Sequence, residues 1–396
     1  MSNCILIVHN YYQYAGGEDS VVAAEQALLG SKNQDVRLLS ISNDSLKGFG
    51  AKIKSVHGTV YSHCAGQWIK RELTKKKPDL THFHNTFPLI SPAAYYAAKT
   101  AGVPVVQTLH NYRLLCPNAL FYRDKGVCED CLGKTPPWPG VLRGCYRGSR
   151  AATAVVAAML TVHRFLRTWT RMVDVYIALT EFSRRKFFEG GLPADKIVVK
   201  PNFVHPDPGP GDHHGGYALF VGRLAPEKGL ETLLKAWEKL GGRIPLKIAG
   251  DGPLASLVAE AAERLPGVQW LGRRSKDEVL RLMKDATVLL FPSVSYEGFP
   301  MTIAEAYATG LPALSSRLGA MVEIVCDGRT GLHFRPGDPE DLAAKVEWAW
   351  THPRQMAEME QEARREYEAK YTAERNYEML MDIYQLAVRR HRGERV

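Results

Sequence analysis

The sequence predicts an α/β fold with two Rossmann-like domains, and three observations lead to this prediction. The chain has 396 residues, enough for two domains of ordinary size. Short apolar runs alternate with helix-like segments, the pattern of βαβ units around a parallel sheet. The alternation is interrupted at 201–216, where the prolines and glycines of PNFVHPDPGPGDHHGG do not sustain a helix or a central strand. We therefore expect an N-terminal domain at 1–200 and a C-terminal domain at 201–375.

The same order of strand and helix recurs along both predicted domains. In the first, strands are expected at 4–9, 79–84, 104–109 and 174–179, and helices at 20–29, 92–100 and 181–189. In the second, strands are expected at 217–221, 246–249, 268–271 and 287–291, and helices at 229–239, 254–263, 276–283 and 302–309. The tail from residue 339 is charge-rich and helical, and we expect 376–396 to be a helix that packs back toward the N-terminal domain.

Positive charge is concentrated in the first half of the chain. The net charge is +9, but residues 1–200 hold 26 basic and 14 acidic side chains, whereas residues 201–396 hold 25 and 28. A one-sided basic domain favours an acidic partner, which leaves nucleic acid, an anionic membrane surface and a phosphorylated substrate open. We expect no nucleic-acid binding, because the basic residues are not interleaved with aromatic residues on which bases could stack.

No apolar run is long enough to span a membrane. The longest, 151–160, falls well short of the ~20 residues that a spanning helix needs. The N-terminal sequence MSNCILIVHNYY has neither a basic leader region nor a small-residue cleavage site. We therefore expect a cytoplasmic protein whose seven cysteines are reduced, metal-bound or catalytic.

The segment SVSYEGFPMTIAEAYATGLP at 293–312 carries the most chemical information. It places Glu297 in a Gly/Pro loop after a buried strand, and Glu305 in the helix that the loop opens. Ligands of open parallel sheets bind where strands end, and free N–H groups at the start of a helix favour anions. A phosphate can rest on the amides of Met301 and Thr302 while the carboxylates accept hydrogen bonds from sugar hydroxyls. Two glutamates eight residues apart also fit a solvated helix face, so the surrounding loop carries the functional interpretation.

The segment from Glu297 to Glu305 resembles the E-x7-E signature of retaining glycosyltransferases with the GT-B fold, most closely those of glycosyltransferase family 4. Three further segments are similar to the family's pattern: FVGRLAPEKG at 220–229, LKIAGDGP at 246–253 and LGAMVEIV at 318–325. The resemblance implies two Rossmann-like domains that face a central cleft, a nucleotide-diphosphate sugar as donor and a glycan or lipid-linked glycan as acceptor. It also implies retaining transfer in cell-surface polysaccharide synthesis.

The resemblance also implies roles for single residues. Arg223 and Lys228 would stabilise the leaving diphosphate, so no catalytic metal is expected. Glu297 would contact sugar hydroxyls, Glu305 the ribose and His110 the transferred sugar, while the leaving phosphate itself would deprotonate the acceptor. The residues expected to be catalytic are His110, Arg223, Lys228 and Glu297. The residues expected to bind the donor are Gly16, Gly17, Gly222, Arg223, Lys228, Glu297, Gly298, Phe299, Pro300, Met301, Thr302 and Glu305.

Two glycines follow the first predicted strand. Gly16 and Gly17 would let a backbone or a ligand approach closely, and by resemblance their loop lies against the donor phosphate or the acceptor. A tight turn explains them equally simply. Glu18 and Asp19 depart from many family members, so the resemblance implies no detailed role for the loop.

The candidate histidines and cations can also be explained without a ligand. His110 also fits a buried histidine whose ring is satisfied by the core, and Arg223 and Lys228 also fit ordinary surface charges. His82 and His84 share one face of a strand, but no acidic or cysteine residue neighbours them in the sequence. We therefore expect no metal site at this pair.

Four cysteines lie in a Gly- and Pro-rich insertion at about 111–150. Cys128 and Cys131 form a C-x2-C pair, and Cys116 and Cys145 flank it. This spacing is compatible with a structural zinc site. The alternative is a set of reduced thiols in a packed flap.

The stretch 147–171 combines arginines with apolar residues and contains no acidic residue. Its five arginines stand beside Met159, Leu160, Phe165, Leu166 and Trp169. An amphipathic surface of this kind fits peripheral contact with an anionic membrane at the inner face of the cell membrane, which suits a lipid-linked acceptor. A helix packed on the sheet with its arginines in water explains the same pattern.

Two other functions stay open at this point. A nucleotide-sugar epimerase or a phosphorylase on the same fold would use the same phosphate-binding residues. A non-enzymatic binder of anionic surfaces would explain the basic first half. Donor consumption without an acceptor, or a response to inorganic phosphate, would separate these from a transferase.

Overall fold

The structure, a computed structural model, describes residues 4–12, 16–43 and 58–394. It divides into two compact units. The first comprises Met1–Phe121, Glu129–Pro201 and Asn376–Val396, and the second comprises Tyr122–Cys128 and Asn202–Arg375. Besides the short segment Tyr122–Cys128, the chain therefore leaves the first unit near the start of the predicted linker and returns to it in the first turn of the last helix.

The first unit contains a six-stranded parallel sheet. In chain order the strands up to residue 199 are β1 (Cys4–Tyr11), β2 (Asp35–Ser42), β3 (Leu80–Asn85), β4 (Val105–Leu109), β5 (Tyr122–Arg123), β6 (Gly126–Val127), β7 (Val175–Ala178) and β8 (Ile197–Val199), of which β5 and β6 belong to the second unit. The sheet order is β2-β1-β3-β4-β7-β8, and β5 pairs with β6 as a separate antiparallel hairpin. The helices are α1 (Gly17–Ser31), α2 (His63–Lys75), α3 (Ala93–Thr100), α4 (Trp138–Arg143), α5 (Arg150–Phe165), α6 (Thr168–Arg171) and α7 (Glu181–Glu189).

The second unit contains a second six-stranded parallel sheet. Its strands are β9 (Ala218–Val221), β10 (Leu246–Ala249), β11 (Val268–Gly272), β12 (Val288–Phe291), β13 (Ala313–Ser316) and β14 (Gly331–Phe334), in the order β11-β10-β9-β12-β13-β14. Its helices are α8 (Leu230–Leu240), α9 (Ala255–Arg264), α10 (Lys276–Asp285), α11 (Met301–Ala308), α12 (Met321–Ile324), α13 (Pro339–Thr351) and α14 (Pro353–Lys370). The predicted pair of parallel-sheet, Rossmann-like domains is confirmed.

Side-chain caps fix where several helices begin. The hydroxyl of Ser149 accepts from the N–H of Ala152 at 3.2 Å to start α5, and that of Thr180 caps α7. Ser275 and Glu278 cap α10 reciprocally. Each cap satisfies a backbone N–H that lacks an acceptor in the first helical turn, which is worth about 1 kcal/mol.

The last helix, α15 (Ala373–His391), completes the core of the first unit. Leu380, Tyr384 and neighbouring apolar residues of α15 pack in one cluster with Ile5 and Ile7 of β1. Both isoleucines are fully buried. Strand β1 is therefore covered by a helix that begins more than 360 positions after the strand ends.

The hairpin β5–β6 belongs to the second unit, although it interrupts the sequence of the first. The ammonium group of Lys125 lies 2.7 Å from Oε2 of Glu231 in α8. This assignment differs from the expected boundaries, which kept the whole insertion in the N-terminal domain.

The predicted linker, 201–216, forms backbone hydrogen bonds with other elements of the second unit. Within it, the N–H groups of Gly211 and His213 donate to the carbonyl groups of Thr309 and Lys284 at 2.8 and 2.9 Å. A Cβ atom at Gly211 would lie 2.2 Å from the carbonyl oxygen of Lys284, so only glycine permits this approach. The stretch therefore folds as part of the unit instead of acting as a free connection.

None of the helices in the described ranges combines the length and the apolar composition that crossing a membrane requires.

Candidate functional site

The strand order of the second unit brings two loops together at one edge of the sheet. Strand β9 pairs with β10 on one side and with β12 on the other, so the chain reverses its direction of travel across the sheet at β9. Crevices at such reversal points, outside the carboxyl ends of the strands, are the usual ligand sites of open α/β sheets. The loops after β9 and β12 are those that carry the candidate residues Arg223, Lys228 and Glu297.

A backbone junction locks these two loops to each other. The carbonyl oxygen of Glu227 accepts from the N–H of Val294 at 2.9 Å and from the hydroxyl of Ser293 at 3.1 Å. Gly229 has φ +72°, and a Cβ atom there would lie 1.9 Å from the carbonyl oxygen of Pro292. Glycine is therefore required at this position, both for its backbone conformation and for the close contact.

Lys228 and Glu297 meet across this junction. The ammonium group of Lys228 lies 2.7 Å from Oε1 of Glu297, and the hydroxyl of Ser293 donates to the same oxygen at 2.7 Å. The side chains of the lysine and the glutamate are 24% and 16% exposed, so the pair is partly shielded from water yet reachable by a ligand. A cation next to a carboxylate suits a ligand that carries phosphate beside hydroxyl groups.

Arg223 lies in the loop after β9, five positions before Lys228. Its guanidinium donates to the buried carboxylate of Glu227, while the side chain is 58% exposed. A guanidinium has five N–H donors, so this contact leaves others for a diphosphate. Gly222 precedes it, and a Cβ atom there would meet only the Phe220 ring at ordinary distance, 3.6 Å. Packing against the part of the chain that the structure describes does not require glycine at 222.

Helix α11 begins directly after the β12 loop. Pro300 precedes the helix, and Met301 and Thr302 occupy its first turn, where backbone N–H groups lack intrahelical acceptors. Phe299 is buried and meets the ring of Tyr371 edge to face, with centroids 5.6 Å apart. This contact fixes the loop from which α11 starts.

Glu305 lies one turn into α11. Burial raises the pKa of its carboxyl group, and the charge of Lys276, at the start of α10, opposes the shift. A half-buried carboxyl group of this kind is suited to hydrogen bonds with ligand hydroxyls. The structure thus brings Arg223, Lys228 and Glu297 into one contact network, and places Glu305 on the adjoining helix.

In the first unit, His110 follows β4 and contacts a second histidine. Its Nε2 lies 2.9 Å from Nδ1 of His84 in β3. Oε1 of Glu25 lies 3.3 Å from Nε2 of His84 and 3.0 Å from Nδ1 of His82. The other carboxylate oxygen of Glu25 lies 3.5 Å from the ammonium group of Lys200. A buried chain of polar groups therefore runs from Lys200 to the end of β4.

The charges in this chain follow from burial and from one cation. Burial lowers the pKa of His84 to about 4 and holds the pKa of His110 well below its usual range. Burial acts on Glu25 in the opposite sense, but Lys200 and the two histidines outweigh it and hold the pKa of Glu25 well below its usual range. At neutral pH, His84 and His110 are therefore neutral rings beside a charged carboxylate.

A pocket opens beside His110 in the first unit. Its lining includes Tyr12, Asn111 and Arg113. The guanidinium of Arg113 lies 4.5 Å from the centroid of the Phe87 ring, an arrangement that orients a cation over an aromatic face. Sequence reasoning did not find Arg113, because a single arginine in the run HNYRLLCP carries no signal until the loop is folded.

Glu18 is a second group that sequence reasoning set aside. Its Oε2 accepts from the side-chain amide of Asn111 at 3.3 Å. Burial, and then the charge of Asp19, raise the pKa of Glu18 to about 8. Gly16, two positions earlier, is the residue that caps the start of α1, and a Cβ atom there would meet no described atom within 4 Å. Among the described residues, therefore, no packing contact requires a glycine at 16.

Metal-ligating groups converge at a place where none was expected. Among the described residues, the three-ligand group whose atoms lie within 4.8 Å of one another is Glu25, His82 and His84. The histidines lacked an acidic neighbour in the sequence, because Glu25 comes from α1, more than 50 positions away. Within the described ranges, the predicted zinc ligands do not form such a group: Cys116, Cys128, Cys131 and Cys145. The zinc site stays a prediction.

Two family models match the chain in succession. The model described as Glycosyltransferase Family 4 matches residues 52–208. The model described as Glycosyl transferases group 1 matches residues 210–366. The border between the two matches falls within the stretch that connects the two sheets.

Curated relatives match parts of the chain. D-rhamnosyltransferase WbpZ of Pseudomonas aeruginosa is 35% identical over 161 residues, which cover 40% of this chain and 42% of that protein. Sulfoquinovosyl transferase SQD2 of Arabidopsis thaliana is 27% identical over 318 residues, covering 76% and 56%. The lipopolysaccharide 1,2-N-acetylglucosaminetransferase of Salmonella typhimurium is 30% identical over 187 residues, covering 41% and 49%. The chain thus spans about half the length of the curated relatives it matches.

Solved structures match over nearly the whole chain. Anabaena HepE in complex with UDP has a TM-score of 0.69 at 16% identity, covering 96% of this chain and 99% of that one. A glycosyltransferase from Rickettsia africae has a TM-score of 0.70 at 16% identity, covering 98% and 99%. At this level of identity the likeness concerns the fold.

Proposed function

The chain belongs to the glycosyltransferases of the GT-B fold, and we propose that it is a retaining glycosyltransferase that moves a sugar from a nucleotide-diphosphate donor to a hydroxyl group of a glycan or lipid-linked glycan. The second unit binds the donor and the first unit binds the acceptor. The reaction belongs to cell-surface polysaccharide synthesis. The names of relatives support this class of reaction, since they include a rhamnosyltransferase and a lipopolysaccharide N-acetylglucosaminetransferase.

The observation that carries the proposal is the contact of Lys228 with Glu297 at the sheet reversal, 2.7 Å apart. A nucleotide sugar presents two phosphates next to a hydroxylated ring, and this pair presents a cation next to a hydrogen-bond acceptor. Arg223, in the same loop region after β9 as Lys228, adds a second cation. The complexes of HepE with UDP and with UDP-glucose support a uridine nucleotide as the first donor to test.

In the proposed reaction, the bond between the anomeric carbon and the diphosphate oxygen breaks. A new bond forms from the acceptor oxygen to the same face of that carbon, so the anomeric configuration is retained. The acceptor proton passes to an oxygen of the leaving diphosphate. Lys228 and Arg223 stabilise the negative charge that develops on the diphosphate, as preorganised cations do in a water-poor site. We expect the reaction to proceed without added divalent metal, because these cations supply the positive charge.

Five further residues have proposed roles in the donor site. Glu297 accepts hydrogen bonds from sugar hydroxyls, and Glu305 holds the ribose. The amides of Met301 and Thr302 face the diphosphate at the start of α11, where the helix dipole favours an anion. Gly222 permits close approach of the ligand to the backbone.

The pocket beside His110 forms the proposed acceptor face of the first unit. His110 is neutral at pH 7 and can hydrogen-bond a sugar hydroxyl through the ring nitrogen that does not face His84. Arg113 offers a cation to an acceptor that carries phosphate, as lipid-linked glycans do. Asn111 adds a polar group to the pocket lining, and its side-chain amide donates to the carboxyl group of Glu18 behind it.

Calorimetric titration without added metal tests the donor site. UDP, GDP, ADP, TDP and their sugars are titrated into the wild type, Arg223→Ala and Glu305→Ala. We expect one nucleotide class to bind the wild type and to lose at least tenfold in affinity in both variants. Lys235→Ala, an exposed lysine of α8, is the matched control and should bind as the wild type does.

Product analysis then separates the transferase from its alternatives. Transfer with retention is recognised from the anomeric configuration of the product by NMR, in buffer with and without EDTA. Donor consumption without an acceptor would indicate an epimerase or a hydrolase. If no nucleotide binds, or both variants bind as tightly as the wild type, the donor site is assigned wrongly.

A further inference from the structure

The solvent face of helix α5 carries no charged residue over its middle. Exposed positions 151, 154, 158, 162 and 165 recur at helical spacing and hold Ala151, Ala154, Ala158, Val162 and Phe165. Val162 is 41% exposed and Phe165 is 87% exposed. At 1.5 Å per residue the stripe is roughly 21 Å long. A helix in water normally turns polar residues outward, so this face is built for contact with something apolar.

Further exposed apolar side chains extend the stripe at its C-terminal end. Leu166 is 52% exposed and Phe188, in α7, is 58% exposed. Arg164 connects α5 to the end of α7. Its guanidinium donates to the carbonyl oxygen of Gly190, two residues after Phe188. It also donates to the hydroxyl of Thr135 at 2.9 Å. The end of α5, the end of α7 and the segment before α4 therefore form one surface.

Positive charge frames this surface. Residues 131–173 contain seven basic side chains and no acidic one. Arg150 lies at the start of the stripe and Arg171 beyond its end, and both are exposed. Nearby acidic groups are paired within the protein: Asp130 with Arg143, and Glu189 with Lys186 at 2.8 Å. An apolar stripe between arginines matches an anionic bilayer, which offers headgroup charge above an apolar interior.

We propose that this surface, formed by the exposed face of α5, the segment before α4 and the end of α7, docks the protein on the surface of a bilayer that contains anionic lipid. Helix α5 lies in the plane of the interface, with Phe165, Leu166 and Phe188 among the acyl chains and the arginines at the headgroups. This docking is independent of the donor chemistry proposed above. It would bring the first unit to an acceptor held in the same bilayer.

Vesicle co-sedimentation tests the proposal with phosphatidylcholine vesicles that contain either 30% or no phosphatidylglycerol. We expect the wild type to bind the anionic vesicles and to leave them as salt is raised. The double variant Phe165→Ser/Leu166→Ser should lose at least tenfold in partition coefficient. Arg150→Gln and Arg171→Gln should each lose about fivefold on anionic vesicles. Val322→Ser, which removes an apolar side chain 47% exposed in the second unit, is the matched control and should bind as the wild type does.

The remaining measurements keep the proposal falsifiable. Thermal unfolding shows that each variant folds, and nucleotide titration should give wild-type affinities for all of them, so a failed donor site leaves this test intact. Equal partition of wild type and Phe165→Ser/Leu166→Ser would overturn the proposal. A stable dimer in light scattering that the same substitutions dissolve would also overturn it, because the face would then bind a second copy of the chain.

Discussion

Nδ1 of His84 lies 2.9 Å from Nε2 of His110 and joins the end of β4 to the buried carboxylate of Glu25. Both histidines have pKa values below the usual range because they are buried. A single proton between the two rings therefore orients both of them. Protonation of either ring adds positive charge to a cluster that already holds Lys200 and the Glu25 carboxylate.

This arrangement predicts loss of stability in mild acid. A histidine whose pKa falls to about 4 on folding binds a proton more readily in the unfolded chain. Stability is therefore fully present above about pH 6.5 and falls as the pH drops through 4, by at most about 1.4 kcal/mol per pH unit for one group. In denaturant unfolding between pH 7 and pH 4, the unfolding free energy of His84→Asn should fall less steeply with decreasing pH than that of the wild type. His63→Asn, an exposed histidine, should keep the wild-type slope; equal slopes in all three proteins would contradict the role of His84.

Glu18 predicts the opposite dependence at higher pH. Its carboxyl group has a pKa raised to about 8, so the folded protein holds a proton that the unfolded chain releases near pH 4.5. The stability that this proton provides is complete below pH 4.5 and is lost as the pH rises to about 8. Between pH 5 and pH 8 the wild type should therefore lose unfolding free energy relative to Glu18→Gln. Above pH 8 the difference between the two proteins should stay constant. A constant gap across that range would show that Glu18 is ionised throughout.

Removal of the Lys228 ammonium group should cost catalysis far more than stability. We expect Lys228→Ala to lower kcat about 100- to 1,000-fold, the usual effect of deleting one group that stabilises developing charge. Because the pair with Glu297 is partly exposed, the unfolding free energy should change by about 1 kcal/mol or less. Initial rates at saturating donor and denaturant unfolding measure the two quantities. An unchanged kcat would mean that the lysine only holds the glutamate in place.

Three glycines should respond differently to alanine. Gly229→Ala places a Cβ atom 1.9 Å from the Pro292 carbonyl at φ +72°, so we expect a loss of more than about 2 kcal/mol. Gly16→Ala and Gly222→Ala meet no such obstacle and should fold within about 0.5 kcal/mol of the wild type. If Gly222 serves ligand approach, its variant should still lose nucleotide affinity. Full affinity in a stable Gly222→Ala protein would remove that glycine from the donor site.

The sequence predicted secondary structure best for strands in the centre of a sheet. Periodicity located β1, β3 and β4, whose apolar runs are buried on both faces, and the loop after β12, whose Gly and Pro residues mark its ends. It missed β2, because DVRLLSIS lies at an edge of the sheet and alternates with polar residues. It also missed β13 and β14, which have only four residues each.

The polar groups of the first unit were harder to predict for a different reason. Glu25 lies in α1, His84 in β3 and Lys200 directly after β8. These residues meet because the strand order of the sheet brings their elements together. No local pattern reports contacts between residues more than 50 positions apart. The placement of Lys228 and Glu297 in one site could be predicted from the sequence, because each residue belongs to a motif that can be recognised by itself.

Helix α15 has a consequence for synthesis of the chain. The first unit lacks the helix that covers Ile5 and Ile7 until residues 373–391 leave the ribosome, about 190 positions after β8. At 5–20 residues per second this delay is roughly 10–40 s. During that interval the strands emerge with one face of their core uncovered and with His82 without its hydrogen bond to Tyr384. The second unit, whose sequence is finished earlier, can fold first, so the nascent chain matures from its later half to its earlier one.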